Sequence, residues 1–491
     1  MMALSLNEPI YRMITSNTLY SLKGSLITSG SLFAMNLILA RTFTPLDIGL
    51  IFIVISITGI FMVIAELGIP QAVTIKLSER ISREASYRGP GDVSSIIFSS
   101  YILGIIITIL FVLGLFFISD FIPLIISNID VQGALKISSL WILMSIVLKI
   151  SQGVFNGFQK MKYSFFLNIC VEPLKFLVVI FAFLFGLNWR GVIWGLTFSY
   201  LLAFLICIAF LFIFLTKEKI ALDAKATQCK REIFIQGLLL CSPILGSFLI
   251  PYTLNLILAR YGVGEVSYFA LSLSLTSIYF VIFNAFSLAF LPAVTQLMVQ
   301  KDKERLTNIV MVGVKYIGLG GFGILLVFYF FSDFLLGIIF GTQYIKAQQV
   351  LKLLAFSVFF DIFRTIYDPL LMGTRHGGVV TIIEWIKFGM VILLGSITIE
   401  RFCLLGTGIT LFFSFLTSSS LKIFFIQRYL SIELFKPMIG IGCLLGGLIL
   451  YHFLKIPFIT IILIWGVTVY YFKLWIWREV KYIWSLVRFT S

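Results

Sequence analysis

Charge is scarce in this chain of 491 residues: Asp, Glu, Lys and Arg together make up 12%, against about 25% in a soluble globular domain. A water-soluble globule, which needs a charged surface, is excluded. Histidine is scarcer still. The two copies, His376 and His452, lie far apart in sequence, so a histidine-based metal site has no ligand set to draw on. The six cysteines (Cys170, Cys207, Cys229, Cys241, Cys403 and Cys443) show no Cys-x-x-Cys spacing, and most sit in apolar runs, so neither a disulfide framework nor a zinc site is indicated. No metal or organic cofactor is expected. The start carries Glu8, Arg12 and Lys23 without a small-residue cleavage pattern, so the first apolar run is expected to remain in the protein rather than serve as a cleaved signal.

What is abundant is apolar bulk, at 60% of residues. A membrane-spanning helix takes roughly 20 residues, so about fourteen spans would use about 280 and leave short connections. The expected fold class is therefore all-α, a polytopic membrane protein of about fourteen transmembrane helices. Apolar runs bounded by charge and turn signals predict spans near 19–40, 47–68, 93–118, 134–155, 163–186 and 191–215. A second set follows near 233–259, 265–291, 310–331, 350–372, 379–399 and 402–425, then 436–454 and 456–476. An even total puts both termini on one side.

Net charge is +15, from 37 Lys and Arg against 22 Asp and Glu. Most of these cations lie in gaps between apolar runs, so they point to membrane topology and not to nucleic acid. Connections after even-numbered spans carry 17 of them, among them Lys76, Arg83, Lys160, Lys217, Arg231 and Lys303. Those after odd-numbered spans carry 6: Arg41, Arg190, Arg260, Lys346, Arg401 and Lys455. Cytoplasmic loops concentrate Lys and Arg, so both termini are expected on the cytoplasmic side.

An internal repeat organises the spans. Asn36-Leu37-Ile38-Leu39-Ala40-Arg41 closes the first, and the same hexapeptide, Asn255-Leu256-Ile257-Leu258-Ala259-Arg260, closes the seventh. Each is followed by an acid opening the next span (Asp47, Glu265), and later by Pro70-Gln71-Ala72-Val73 in one half and Pro292-Ala293-Val294 in the other. Farther on, Glu172-Pro173-Leu174-Lys175-Phe176 answers Glu384-Trp385-Ile386-Lys387-Phe388. Six spans per unit, an even number, give both units the same orientation, related by an axis along the membrane normal. The expected organisation is a six-helix lobe over 1–215, a cytoplasmic interlobe linker over 216–232, a second six-helix lobe over 233–428, and two appended helices with a tail over 429–491.

Charge at membrane depth costs about 2.5–3.5 kcal/mol per isolated group on insertion scales. Lys149, Glu172, Lys175, Asp361, Arg364, Asp368, Glu384 and Lys387 all fall inside or near the ends of apolar runs. They are expected to face one another or a watery cavity. Asp361, Arg364 and Asp368, at i, i+3 and i+7 on one face of the tenth span, let the arginine pair with either acid. Glu172 with Lys175 and Glu384 with Lys387 occupy matching places in the two halves, and fit neutralised structural bridges as well as ligand contacts. Lys149, Gln152 and Asn156 give the fourth span a polar face of the same pitch. Arg41 and Arg260 fit either anchors at the outer headgroups or cavity residues. Polar faces in both halves imply a hydrophilic cleft between two lobes.

Two patterns carry less than they suggest. Gly318-Leu319-Gly320-Gly321-Phe322-Gly323 matches a dinucleotide fingerprint letter for letter but interrupts an apolar span, where close helix packing or a bend accounts for the glycines. Aromatics at 16%, including 51 Phe, read as lipid-facing bulk, with Trp475, Trp477, Tyr482 and Trp484 as interfacial anchors.

The hexapeptide through Arg41, then Asp47-Ile48-Gly49-Leu50, Glu66-Leu67-Gly68-Ile69-Pro70-Gln71-Ala72, Asn156-Gly157-Phe158-Gln159 and Gly373 resemble the pattern of bacterial polysaccharide flippases. These belong to the multidrug, oligosaccharidyl-lipid and polysaccharide exporter superfamily. The resemblance covers nearly the whole chain, and it implies alternating access in the bacterial cytoplasmic (inner) membrane. Two lobes would rock about a central cavity that takes an undecaprenyl-diphosphate-linked glycan, with membrane lipid around it and glycan polymerase and glycosyltransferases as functional partners. On that reading Arg364, Lys149, Lys175 and Lys387 contact the headgroup, and Arg41 and Arg260 belong to the outer gate. Asp361, Asp368, Glu172 and Glu384 would couple transport to H+ or Na+. A cation-coupled exporter of drugs or metabolites and a lipid II flippase are alternatives from the same superfamily. An integral-membrane glycan polymerase or ligase, an enzyme, would need an outer catalytic loop, and the longest outer connection, about 332–349, is short and poor in acid–base residues.

Overall fold

The structure is a computed structural model that describes residues 8–83, 90–122, 131–218, 229–300 and 302–432, together with Leu434, Gly442 and Leu445. The predicted spans at 436–454 and 456–476, and the aromatic anchors near 475–484, lie outside the described residues. In lipid every backbone N–H and C=O must be satisfied within its own segment. The apolar runs accordingly form α1 (Glu8–Thr42), α2 (Pro45–Glu66), α3 (Ile69–Arg83), α4 (Pro90–Ile118), α5 (Gln132–Gly157), α6 (Met161–Leu184) and α7 (Trp189–Lys217). The C-terminal half contains α8 (Lys230–Ala259), α9 (Val263–Gln300), α10 (Lys303–Phe330), α11 (Ser332–Ile339), a 3-10 turn (Thr342–Ala347), α12 (Gln348–Asp361), α13 (Arg364–Gly373), α14 (Gly377–Phe402) and α15 (Leu404–Leu430). Among the described residues nine helical segments are long and apolar enough to cross a membrane, the longest being Pro45–Ile81. The protein is a multi-pass membrane protein.

Three segments depart from the sequence expectation. The second span does not end near residue 68. Thr44 caps α2 by accepting from the Asp47 amide at 3.2 Å with Pro45 in the first turn. The chain then kinks through Leu67 (φ 42°) and Gly68 (φ +65°) and restarts as α3, so Lys76 lies on a helix and not in a loop. The tenth span is not one helix but two: α12 stops at Asp361, Ile362 and Phe363 form a turn, and α13 begins at Arg364. The outer connection near 332–349 is folded as α11 and the 3-10 turn. Gly321, from the glycine-rich stretch, lies in unbroken α10, where a Cβ would come within 2.2 Å of Ile362 Cδ1, so close packing is its role.

Within the N-terminal half α1 packs along α6, α6 along α7, and α5 against α3, α4 and α7. Within the C-terminal half α14 packs on α15 and α8, α12 on α15, and α9 on α13. The halves meet through α2 against α8 and α9, α3 against α8, and α1 against α9. The repeated hexapeptide accounts for part of this seam. Asn36 Nδ2 on α1 donates to Ser274 Oγ on α9 at 3.0 Å, and Asn255 Nδ2 on α8 donates to Ser56 Oγ on α2 at 2.9 Å. The same asparagine in each half thus reaches into the other. Phenylalanine divides between two roles. Phe117, Phe181, Phe185 and Phe212 face outward as lipid-facing bulk, whereas Phe269, Phe322, Phe359 and Phe363 are fully buried.

The face on which α7 ends at Lys217 and α8 begins at Lys230 is called here the linker face. On the opposite face, Arg41 at the end of α1 donates to the carbonyls of Ile338 and Ile339, filling orphan acceptors at the end of α11. Gln343 Nε2 adds a bond to the Ala40 carbonyl at 3.2 Å. Beyond the end of α4, hydrogen bonds from Lys136 and then Gln132 hold the Asp120 carboxyl below the usual range.

Gly68 both adopts a left-handed backbone and lets α3 touch α8, because its Cβ would fall 2.3 Å from the Gly237 carbonyl oxygen. Gly68→Ala is expected to introduce about 1–3 kcal/mol of backbone strain and lower the melting temperature of the detergent-solubilised protein. Gly378→Ala, whose added methyl meets open space, should leave it unchanged. Gel filtration with fluorescence detection after a heating series reads both.

Candidate substrate cavity and intramembrane charge clusters

The tenth span's break has a chemical purpose in the C-terminal half. It presents Asp361 at the end of α12 and Arg364 at the start of α13, with Arg364 Nε 3.3 Å from Asp361 Oδ2. On α14, Glu384 and Lys387 lie one turn apart and pair directly. Lys422, on α15, completes the set: its Nζ is 2.7 Å from Asp368 Oδ1 and 2.8 Å from Glu384 Oε1. Lys387 Nζ also lies 3.9 Å from Asp361 Oδ1 and over the Phe415 ring. Gly246 brings α8 against the Glu384 backbone, so that Ser247 Oγ donates to Glu384 Oε2 and accepts from Lys387 at 3.3 Å. Three cations and three carboxylates balance. Lys387 and Lys422 are 1% exposed and Glu384 4%, so the centre of the cluster is buried, while Arg364 and Asp368 at its margin are partly exposed.

The N-terminal half carries the same positions with different chemistry. Adding 212 to Lys149, Gln152, Asn156, Glu172 and Lys175 gives Asp361, Arg364, Asp368, Glu384 and Lys387. The counterpart of Lys422 at that spacing is Phe210, so the N-terminal cluster lacks the third cation. Lys175 Nζ bonds both Glu172 oxygens, at 3.1 and 3.2 Å, and sits 5.1 Å from the Tyr200 ring centroid. Lys149 pairs with Glu66, at the end of α2, and its side chain remains 40% exposed.

That exposure opens into a cavity of about 360 Å³. Its walls come from α2 and α3 (Glu66, Gln71, Thr74), from α5 (Lys149, Gln152, Asn156) and, across the seam, from α8 (Ile244, Phe248). A smaller pocket of about 150 Å³ continues it toward α1 and α6, lined by Tyr20, Ser164 and Asn168 among others. A third, of about 450 Å³ and largely apolar, lies between the halves toward the opposite face, with Arg260 and Ser396 on its wall.

The ten residues singled out from sequence therefore separate. Asp361, Arg364, Asp368, Glu384 and Lys387 converge on one cluster with a buried centre. Glu172 and Lys175 form a pair on α6. Lys149 lines the polar cavity, Arg260 borders the apolar one, and Arg41 is engaged with α11. Two residues were missed. Lys422 lies within an apolar run, and its signal is the buried Ser418 and Ser419 one turn before it on the same face. Glu66 stands at the end of α2, and its signal is the helical continuation through Pro70 beyond the kink.

Removing one partner of a buried ionic cluster leaves an uncompensated charge, a loss of about 3–5 kcal/mol. Lys422→Met should accordingly destabilise the protein severely, and adding Glu384→Gln should recover part of the loss. Melting curves of the single and double variants in the same detergent check this.

The profile of the family described as polysaccharide biosynthesis protein matches residues 14–298, more than half of the chain, and that described as MatE matches 240–397. No curated protein matches. Among solved structures, the lipid II flippase MurJ in an inward closed conformation aligns with a TM-score of 0.70 at 13% identity, covering 94% of this chain and 99% of that one. An inward-facing multidrug resistance MATE family transporter of the MOP superfamily gives 0.69 at 13% identity, covering 84% and 98%. A MOP superfamily transporter from Pyrococcus furiosus, described by the reverse polarity of its binding pocket, gives 0.63 at 14%, covering 86% and 96%. The fold is that of the multidrug, oligosaccharidyl-lipid and polysaccharide exporter superfamily, and the chain belongs to the polysaccharide biosynthesis protein family.

Proposed function

We propose that this protein is a flippase that carries an undecaprenyl-diphosphate-linked oligosaccharide across the bacterial cytoplasmic membrane by alternating access. The observation that carries the reading is the polar cavity between the halves, built around Lys149 and Glu66 at membrane depth. A sugar diphosphate cannot cross hydrocarbon, because its polar groups would lose their hydrogen bonds to water. A cavity offering an ammonium and amides replaces those bonds while the prenyl chain stays in lipid. Family membership supports a glycan cargo, and the excess of Lys and Arg on the linker face supports placing that face in the cytoplasm. Residues 1–215 and 233–428 act as the two moving lobes, joined by 216–232.

Lys149 is the headgroup contact best placed to act directly, and Lys175 stands nearby on the same half. Arg364 and Lys387 act from within their cluster. The cross-seam bonds of Asn36 and Asn255, with Arg41 bound to α11, close the opposite face and must break for cargo to leave there. Coupling by H+ or Na+ would work through Asp361, Asp368, Glu172 and Glu384, since neutralising a carboxylate in a balanced cluster frees a cation and changes which lobe arrangement is stable. Glycosyltransferases supply the cargo and a polymerase consumes it.

A lipid II flippase is the second reading, favoured by the near-complete overlap with MurJ. A drug exporter selecting organic cations would need an acid-dominated cavity, and Lys149 beside Glu66 leaves this one balanced.

Deleting the protein should accumulate lipid-linked glycan on the cytoplasmic leaflet, measured by leaflet-selective labelling. Lys149→Ala should reduce transfer roughly tenfold or more, the equivalent of one charge-assisted hydrogen bond, and Lys149→Arg should retain most of it. Unchanged leaflet distribution on deletion would overturn the assignment.

A further inference from the structure

The polar cavity and the smaller pocket share Gln152 and Asn156, and together they form one trough on the N-terminal half. Its polar lining is mostly amide and hydroxyl: Gln71, Thr74, Gln152, Asn156, Ser164 and Asn168. The single cation, Lys149, is matched by Glu66, so the trough is electrically balanced. Its amides are held in place by one another. Gln152 Nε2 donates to Asn168 Oδ1 at 2.8 Å, and Ser164 Oγ donates to Asn156 Oδ1 at 3.0 Å. This leaves Gln152 Oε1 to accept and the amide nitrogens of Asn156 and Asn168 to donate. Gln71 Oε1, on the cavity wall, is buried without a hydrogen-bond partner.

The repeat shows that the fold does not require these amides. At the spacing of 212 the C-terminal half has His376 for Ser164, Val380 for Asn168, Arg364 for Gln152 and Asp368 for Asn156. Where Ala72-Val73 aligns with Ala293-Val294, Pro292 stands for Gln71. The second half builds corresponding helices with other chemistry. The amide set therefore answers to something that only the first half meets.

We propose that this trough is a saccharide subsite: its amides and hydroxyls read neutral sugar residues of the cargo, while Lys149 at its edge meets the diphosphate. The inference rests on the flippase reading above. Sugar hydroxyls both donate and accept, which matches a lining of paired amides and hydroxyls. A phosphate only accepts, and away from Lys149 it would face amide carbonyls as well as amide donors. Tyr20 and Phe165, whose ring centroids are 5.4 Å apart and both of which line the smaller pocket, offer flat apolar faces to the carbon side of a sugar ring.

Native mass spectrometry of the full chain, titrated with undecaprenyl diphosphate and with the same lipid carrying one hexose or one N-acetylhexosamine, tests this. Wild type should prefer at least one sugar-bearing lipid by about tenfold or more, the yield of two or three hydrogen bonds. Gln152→Leu and Asn168→Leu should reduce that preference to within about twofold and leave binding of the bare lipid unchanged. If either leucine variant fails to fold, Gln152→Ala with Asn168→Ala takes its place. A preference that survives in the variants, falls together with bare-lipid binding, or is missing from wild type overturns the subsite and leaves the flippase reading standing. A wild type that binds none of the three lipids overturns the flippase reading itself.

Discussion

A charge placed in hydrocarbon must be neutralised nearby or reached by water, and that requirement shapes this protein from its helix breaks to its cavity. The C-terminal half meets it by closure. Asp361, Arg364, Asp368, Glu384, Lys387 and Lys422 come from four helices and balance to zero around a buried centre of Asp361, Glu384, Lys387 and Lys422. Such a cluster contributes little net stability, but breaking it is costly, so it fixes how α12 to α15 sit relative to one another. The N-terminal half meets the same requirement by pairing Glu172 with Lys175 and by leaving a second pair at a cavity. Lys149 and Glu66 pair at the edge of a cavity and stay partly open to it.

One repeated arrangement therefore serves two ends. The repeat retains Glu-x-x-Lys at matching positions and retains the asparagine that crosses the seam, in both directions, to Ser274 and to Ser56. What differs is what surrounds them. Where the second half has Lys422 the first has Phe210, and where the second has Asp361 the first has Lys149. The result is one half whose charges are mostly paired among themselves and one that lines a polar cavity, facing each other across α2, α3, α8 and α9. That asymmetry suits a carrier, which needs one surface to recognise cargo and another to move against it.

The spans of the described region and the repeat were legible in the sequence, because apolar runs of about 20 residues and an exact hexapeptide are strong signals. The identity of the clustered residues was partly legible: a charge in an apolar run is conspicuous, and five of the six C-terminal cluster members were found that way. Lys422 escaped because it was weighed as part of a run and not against its neighbours on other helices. Partner choice across helices cannot be read from spacing along one of them. The two helix breaks escaped for a local reason. Leu67 adopts a left-handed backbone without being glycine, and Ile362-Phe363 is as apolar as the helices it separates, so neither breaks the hydropathy pattern. Likewise, Ser332–Ile339 is too short to register as a span, and its place is set by Arg41 nearly 300 positions earlier in the chain.

The central claim is that the polar chamber lined by Lys149, Glu66, Gln152 and Asn156, toward the end of α5 that pairs with the end of α7 through Lys160 and Glu218, is where cargo enters from the linker face. Single cysteines at Gln152 and at Ser274, in a background lacking the native cysteines, can be probed with a membrane-impermeant maleimide added to one side of sealed vesicles at a time. The account predicts that the cysteine at 152 reacts from the linker side alone, and that the cysteine at 274, held in the seam, reacts from neither. Labelling of position 152 from the opposite side only, or from no side, would contradict it.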